Sequence, residues 1–176
     1  QNEEVVSSWK DALSSRILGE GISKHINVPT FGCYIDKRET VVKNVDATLN
    51  KIWCIGGRNG WYYGNWLWEI RGFIDKLFGG VGLRRGRKNT NLINAGDSLD
   101  FWRVLYADKR EMRLLLYAEM KLPGEAWLEF KIENNVFYQT ATFRPLGLLG
   151  RIYWYAVMPF HGFIFGGMMK KIASAE

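Results

Sequence analysis

The chain has 176 residues, of which 47% are hydrophobic, 24% charged and 15% aromatic, and a formal net charge of +6. That length and balance suit one folded domain with a core of ordinary size and exclude a disordered segment. Nucleic acid is set aside as a partner, because Arg84, Arg85, Arg87 and Lys88 supply most of the excess charge from a single stretch without interleaved aromatics on which bases could stack.

Cys33 and Cys54 are the 2 cysteines, too few for a disulfide framework and without the C-x-x-C spacing of a zinc or redox site. No metal is expected, and both cysteines are read as reduced thiols. The opening QNEEVVSSWKDAL is charged and has no apolar run, so no secretory signal is expected and the cytoplasm is the expected location. The missing initial Met leads us to expect a piece of a longer protein.

Residues 1–33 are read as a lead-in segment from an upstream domain, with one short helix around SWKDALSSRIL capped near Ser8 and Asp11; residues 34–176 are read as the domain proper. Alternation over 34–45 predicts a first strand. Asp46 or Thr48 can cap a helix through Ile55, stopped by Gly56 and Gly57. A second helix follows, with Trp66, Ile70, Phe73, Ile74 and Leu77 as its apolar face, Glu69, Arg71, Asp75 and Lys76 among them, and Gly79-Gly80 as its end.

From Gly96 the period becomes 2. GDSLDFWRVLYAD is read as one strand, with Asp97 and Asp100 as turn and edge residues. EMRLLLYAEMK and EAWLEFKIE are read as a hairpin through Leu122-Pro123-Gly124. Pairing Lys121 with Glu125 gathers Leu114, Leu116, Ala118, Leu128 and Phe130 on one face. The same register opposes Arg113 to Glu133 and Tyr117 to Glu129 on the other. Asn134-Asn135 marks a turn, and VFYQTATF is the next strand.

The C-terminal stretch is the most apolar part of the chain. Between Arg151 and Lys170 it has no Asp, Glu, Lys or Arg, and it crowds together Tyr153, Trp154, Tyr155, Phe160, Phe163 and Phe165. A membrane span needs about 20 apolar residues, and this run is short and broken by Pro159, His161 and glycines. An interfacial helix would carry basic residues along one face, whereas here they stand only at the ends. A helix laid in a protein groove is therefore expected, starting near Gly147 or Leu148, bending at Pro159 and ending at Lys170 and Lys171. Contact with a membrane surface is the weaker alternative.

A strand, two helices, a run of antiparallel strands and a long final helix make an α+β, helix-grip arrangement, a curved antiparallel sheet wrapped around a long, Pro-kinked C-terminal helix. This order resembles the START and Bet v 1-like superfamily. SSWKDAL at 7–13, VPTFGCYIDKRE at 28–39, GDSLDFWRV at 96–104, GEAWLEF at 124–130 and FRPLGLLGRIYWYAVMPFH at 143–161 resemble a bacterial family of unknown function. Domains of that family are found C-terminal to NAD(P)-binding Rossmann domains of the sugar-epimerase or atypical short-chain dehydrogenase type. The resemblance implies an apolar small molecule held between sheet and helix, with a Rossmann domain of the same protein as partner and NAD(P) bound there. No strand followed by G-x-G-x-x-G occurs in this chain, so no cofactor is expected in it.

For the ligand, the candidate wall residues are Trp66, Leu116, Ala118, Leu128, Phe130, Trp154, Tyr155 and Phe160. The family resemblance supplies no catalytic residues. Tyr117 and Glu129 form the best polar cluster, and His161, within PFHGF, is either a structural histidine or a base. A cyclase or dehydratase working in the same cavity, and a structural module docking on the Rossmann domain, are the competing readings.

Overall fold

The computed structural model describes residues 27–77 and 92–174. The expected helix around SWKDALSSRIL, the Gly79-Gly80 stop and the Arg84 to Lys88 stretch lie outside the described residues.

Strand β1 (Tyr34–Val41) alternates half-buried and exposed residues. It ends four residues before the predicted Val45, because helix α1 (Val45–Trp53) begins there instead. The cap is Asn44 rather than Asp46 or Thr48: its Oδ1 accepts from the Ala47 N–H at 3.0 Å, satisfying one of the donors a helix start leaves open. Thr48 is a buried helix residue whose hydroxyl donates to the Asn44 carbonyl at 2.8 Å. After a short 3-10 turn, Gly57–Asn59, helix α2 runs Asn65–Leu77.

The face expected to bury in α2 is the exposed one. Trp66, Ile70, Phe73 and Leu77 lie on the surface, while Trp68 and Asp75 are buried. Asp75 accounts for the reversal. Its carboxylate accepts from the Lys121 N–H at 2.8 Å, fastening α2 to the chain between β4 and β5. A buried polar group needs such a partner, and meeting that need fixes which way the helix faces.

The predicted strand over 96–108 is two strands, β2 (Ser98–Leu99) and β3 (Trp102–Asp108), joined at Asp100, which has φ of 53°. Strands β4 (Arg113–Ala118), β5 (Gly124–Glu133) and β6 (Val136–Pro145) follow. The result is a six-stranded antiparallel sheet in the order β1-β6-β5-β4-β3-β2. Between β5 and β6, Asn134 and Asn135 both take positive φ, 50° and 61°, as a two-residue hairpin turn with matching strand twist requires.

The β4–β5 register departs from the predicted one by two residues. Arg113 stands opposite Lys131, Leu114 opposite Phe130, and Tyr117 opposite Trp127. Lys121 and Glu125 are not a pair, because β4 stops at Ala118 and a longer connection, with Pro123 in it, replaces the tight loop. A shift of two leaves each side chain on its expected face. The charge pairing changes, and Arg113 reaches diagonally to Glu129, Nε to Oε1 2.6 Å.

Helix α3 (Gly147–Ala173) runs continuously with Pro159 inside it. Its last three turns place Ile164, Phe165, Met168, Met169 and Ile172 in the main core with Leu114, Leu116, Leu128, Phe130 and Phe137 of the inner sheet face and Leu49 and Ile52 of α1. At its C-terminus, where carbonyls lack helical partners, the Lys51 ammonium donates to the Lys171 carbonyl at 2.8 Å. Among the described residues, no helix is long and apolar enough to cross a membrane. The outer sheet face has a smaller cluster of Leu105, Tyr106, Leu115 and Trp127, with Val28 and Tyr117 packed against it.

Candidate functional site

The space between sheet and final helix is solid at one end and hollow at the other. Where the last turns of α3 meet the sheet, Leu114, Leu116, Leu128, Phe130, Phe137, Met168 and Ile172 are fully buried. Nearer the start of α3 there is a cavity of about 270 Å³. Helix α3 supplies Tyr153, Trp154, Val157, Phe160, His161 and Ile164 to its wall. Helix α2 supplies Leu67, Trp68, Ile70 and Arg71, and the sheet adds Trp102, Ala141 and Phe143. Ile70 and Phe160, 48% and 55% exposed, form the mouth.

Large rings hold the hollow open because they brace one another. Trp154 is stacked on Tyr34 at 5.3 Å and on Phe143 at 5.8 Å, between centroids. Tyr34 and Phe143 are themselves cross-strand partners of β1 and β6. On the far side Trp61, Trp68, Phe101 and Trp102 form a second cluster with centroids 5.3 to 6.2 Å apart. Rings fixed in this way have few rotamers with which to collapse into the space.

The polar groups of the wall are few, and most of them are donors. Trp68 Nε1 and Trp102 Nε1 are buried and have no hydrogen-bond partner among the described residues, and the same holds for His161 Nδ1. An indole N–H can only donate. Arg71 is positioned by its Nε, 3.0 Å from Met120 Sδ, and by the Tyr153 ring, whose centroid is 5.8 Å from its guanidinium carbon. Burial, reinforced by the charge of Arg71, brings the His161 pKa down to about 4. The imidazole is therefore neutral near pH 7. Among the described residues, no carboxylate lines the cavity.

Of the residues expected to form the wall, Trp154 and Phe160 do so. Leu116, Ala118, Leu128 and Phe130 are on the inner sheet face but lie in packed core. Trp66 and Tyr155 are 59% and 66% exposed; Trp66 is on the outward side of α2, and Tyr155 meets Tyr34 edge-on at 5.7 Å. Tyr117 and Glu129 are not opposite one another and line no part of the cavity. Tyr117 packs on Trp127 at 5.7 Å in the outer cluster, and burial pushes its phenol up, away from neutral pH. Glu129 is held in its ion pair with Arg113. Neither is placed to act as an acid or base on a molecule in the cavity. Reading the sequence missed Trp68, Trp102 and Arg71. Trp68 and Arg71 lie three apart on α2, a spacing that puts both on one helix face, but the more continuous apolar stripe on the opposite face concealed it.

The architecture defines an α+β domain, an antiparallel sheet covered by one long C-terminal helix, with a ring-walled cavity between the two. The chain belongs to the family described as protein of unknown function (DUF2867), whose model matches residues 33–168. No curated protein matches it. Among solved structures, the crystal structure of Ara h 8.0201 is similar at 14% identity and a TM-score of 0.38, over 81% of this chain and 99% of that one.

Proposed function

We propose that this protein binds a hydrophobic small molecule in the cavity between the sheet and the N-terminal half of α3, in the manner of a helix-grip domain. The observation that carries the proposal is the hollow itself. Its 270 Å³ falls just below the range of roughly 300–1,000 Å³ typical of ligand pockets, its wall is mainly apolar, and its mouth is open. The occupant is therefore small, or has a part that protrudes past Ile70 and Phe160. The resemblance of SSWKDAL, GDSLDFWRV and the FRPLGLLG stretch to the second halves of Rossmann-containing proteins supports a place as the C-terminal module of a larger NAD(P)-binding, epimerase-like or oxidoreductase-like protein.

Titration with the neutral fluorophore N-phenyl-1-naphthylamine tests the binding reading. The dye is expected to bind one to one with enhanced emission, and Ala141→Leu, which fills part of the hollow, is expected to weaken it. Absence of binding, or binding undiminished in a folded Ala141→Leu variant, overturns the proposal.

Docking on the Rossmann domain is a second reading with its own support. Trp66, Ile70, Phe73 and Leu77 on α2, and Leu148, Leu149 and Ile152 on α3, are all exposed, and large apolar side chains grouped on a surface in this way suit an interface. Hydrogen exchange on the full-length protein would show α2 and the start of α3 protected relative to this chain alone. Equal exchange in the two would exclude docking.

A further inference from the structure

We infer that the ligand is an apolar molecule with an anionic, hydrogen-bond-accepting head, a carboxylate in its simplest form, which enters head first and leaves its apolar part toward the mouth. The inference rests on the cavity reading above and adds the chemistry of the occupant.

Unmet hydrogen-bonding capacity is the first argument. Trp68 and Trp102 are each 5% exposed, both line the cavity, and neither indole N–H has a partner among the described residues. A buried donor without an acceptor costs about 1–3 kcal/mol, and a side chain that can only donate is satisfied by an acceptor alone. An acceptor oxygen in the hollow would relieve that cost, whereas a purely apolar ligand would leave it in place.

Charge is the second. Among the described residues, Arg71 is the one cation of the wall and no Asp or Glu shares it. Inside a low-dielectric space with rings for walls, one unopposed guanidinium favours an anion and disfavours a cation by far more than it would in water. His161, neutral near pH 7, adds no competing charge and can donate or accept.

The third is the arrangement along the hollow. Trp68 and Trp102 belong to the buried ring cluster with Trp61 and Phe101, while Ile70 and Phe160 at the mouth are apolar and about half exposed. A polar head therefore finds its donors inside and an apolar tail finds its neighbours outside.

Displacement of bound N-phenyl-1-naphthylamine by decanoate, decanol and decylamine at pH 7 tests the inference in the unaltered protein. Decanoate is expected to displace the dye at a concentration at least tenfold below that of decylamine, with decanol between them. Trp68→Phe and Trp102→Phe keep a ring and lose the N–H. Each is expected to weaken decanoate about tenfold, the loss of one hydrogen bond to a charged group, and to lower affinity for decanoate by a larger factor than affinity for the dye. Equal displacement by decanoate and decylamine in a protein that binds the dye overturns the anionic ligand and leaves the cavity standing. Failure to bind the dye removes both. The ranking of the three competitors needs no variant, so a tryptophan replacement that does not fold leaves the test intact.

Discussion

His161 meets Trp154 edge to face, with ring centroids 5.2 Å apart and an interplanar angle of 86°, two turns further along α3 and on the same side of the helix. The contact keeps the imidazole among rings and away from water, and that has a consequence for pH. Burial first, then Arg71, lowers its pKa from 6.5 to about 4, with Arg38 acting in the same direction and Asp36 against it. Well above pH 6.5 the side chain is neutral in both folded and unfolded chains and the pH has no effect through it. As the pH falls toward 4 the unfolded chain takes up the proton first, so stability drops across this window by roughly 3 kcal/mol. Urea unfolding at pH 7 and pH 4.5 is expected to show this loss, and His161→Phe to reduce it. An unchanged pH dependence in the Phe variant would contradict the assignment.

Trp154 and Phe160 both line the cavity, yet their truncations should differ. Trp154 is 4% exposed between two stacked rings, and replacing such a ring with Ala costs about 3–5 kcal/mol. Phe160, at the mouth, leaves no closed void behind. Phe160→Ala is expected to cost less than about 1 kcal/mol, as for surface positions, and instead to speed dissociation of bound dye. Chemical denaturation together with stopped-flow release measures both. Similar stability losses for the two variants would show that Phe160 belongs to the core.

Gly150 provides a test of backbone approach. A glycine inside a helix is ordinarily worth replacing, since Ala is better there by about 1 kcal/mol. Here an added Cβ would run into the Pro123 carbonyl oxygen and stand 2.8 Å from Pro145 Cα. Those are backbone neighbours that cannot swing aside. Gly150→Ala is therefore expected to lower the thermal midpoint, and a raised midpoint would mean that α3 starts further from the β4–β5 connection than described.

Asp100 combines burial with an unusual backbone. Its Oδ2 accepts from Trp61 Nε1 at 3.0 Å, and its φ is 53°. Burial raises its pKa, so the folded chain holds a proton that the unfolded chain has lost. Stability consequently falls as pH rises from the ordinary aspartate value through the raised one. Asp100→Asn keeps an acceptor for the indole, tolerates positive φ and never ionises. It should match or exceed the original stability at pH 7 and lose this part of the pH dependence, whereas Asp100→Ala should be destabilised. Equal damage by Asn and Ala would show that the carboxylate charge matters for the fold.

What could be read from the sequence depended on the range of the signal. Period-2 alternation placed β4 and β5 on their correct faces, and the uncharged run around YWYAVMPFH marked α3 as the covering helix. The register of β4 against β5 was not available in the same way. Lys121 with Glu125 and Arg113 with Glu133 made sensible charge pairs, but a shift by two residues conserves the faces, and the choice was settled by Asp75 holding the Lys121 N–H, a contact between elements distant in sequence. Helix α2 failed for the same reason. Its more regular apolar stripe, Trp66 to Leu77, is exposed because Asp75 and Trp68 on the other side have partners in the fold. The cavity wall was legible where it lay on α3, as Trp154 and Phe160, and not where it required α2 and β3 to converge.

The chain order of these elements also bears on synthesis. Strand β1 cannot join the sheet until β6 is made, because Tyr34 pairs with Phe143, and the inner faces of β4 and β5 lack their cover until Met168 and Ile172 have left the ribosome. At about 5–20 residues per second, the nascent chain spends some seconds as a partial sheet with Leu114, Leu116, Leu128 and Phe130 uncovered. Ribosome-bound chains that stop before α3 would therefore be the species on which chaperones act, and a truncation at Pro145 should be recovered as aggregate rather than as a smaller domain.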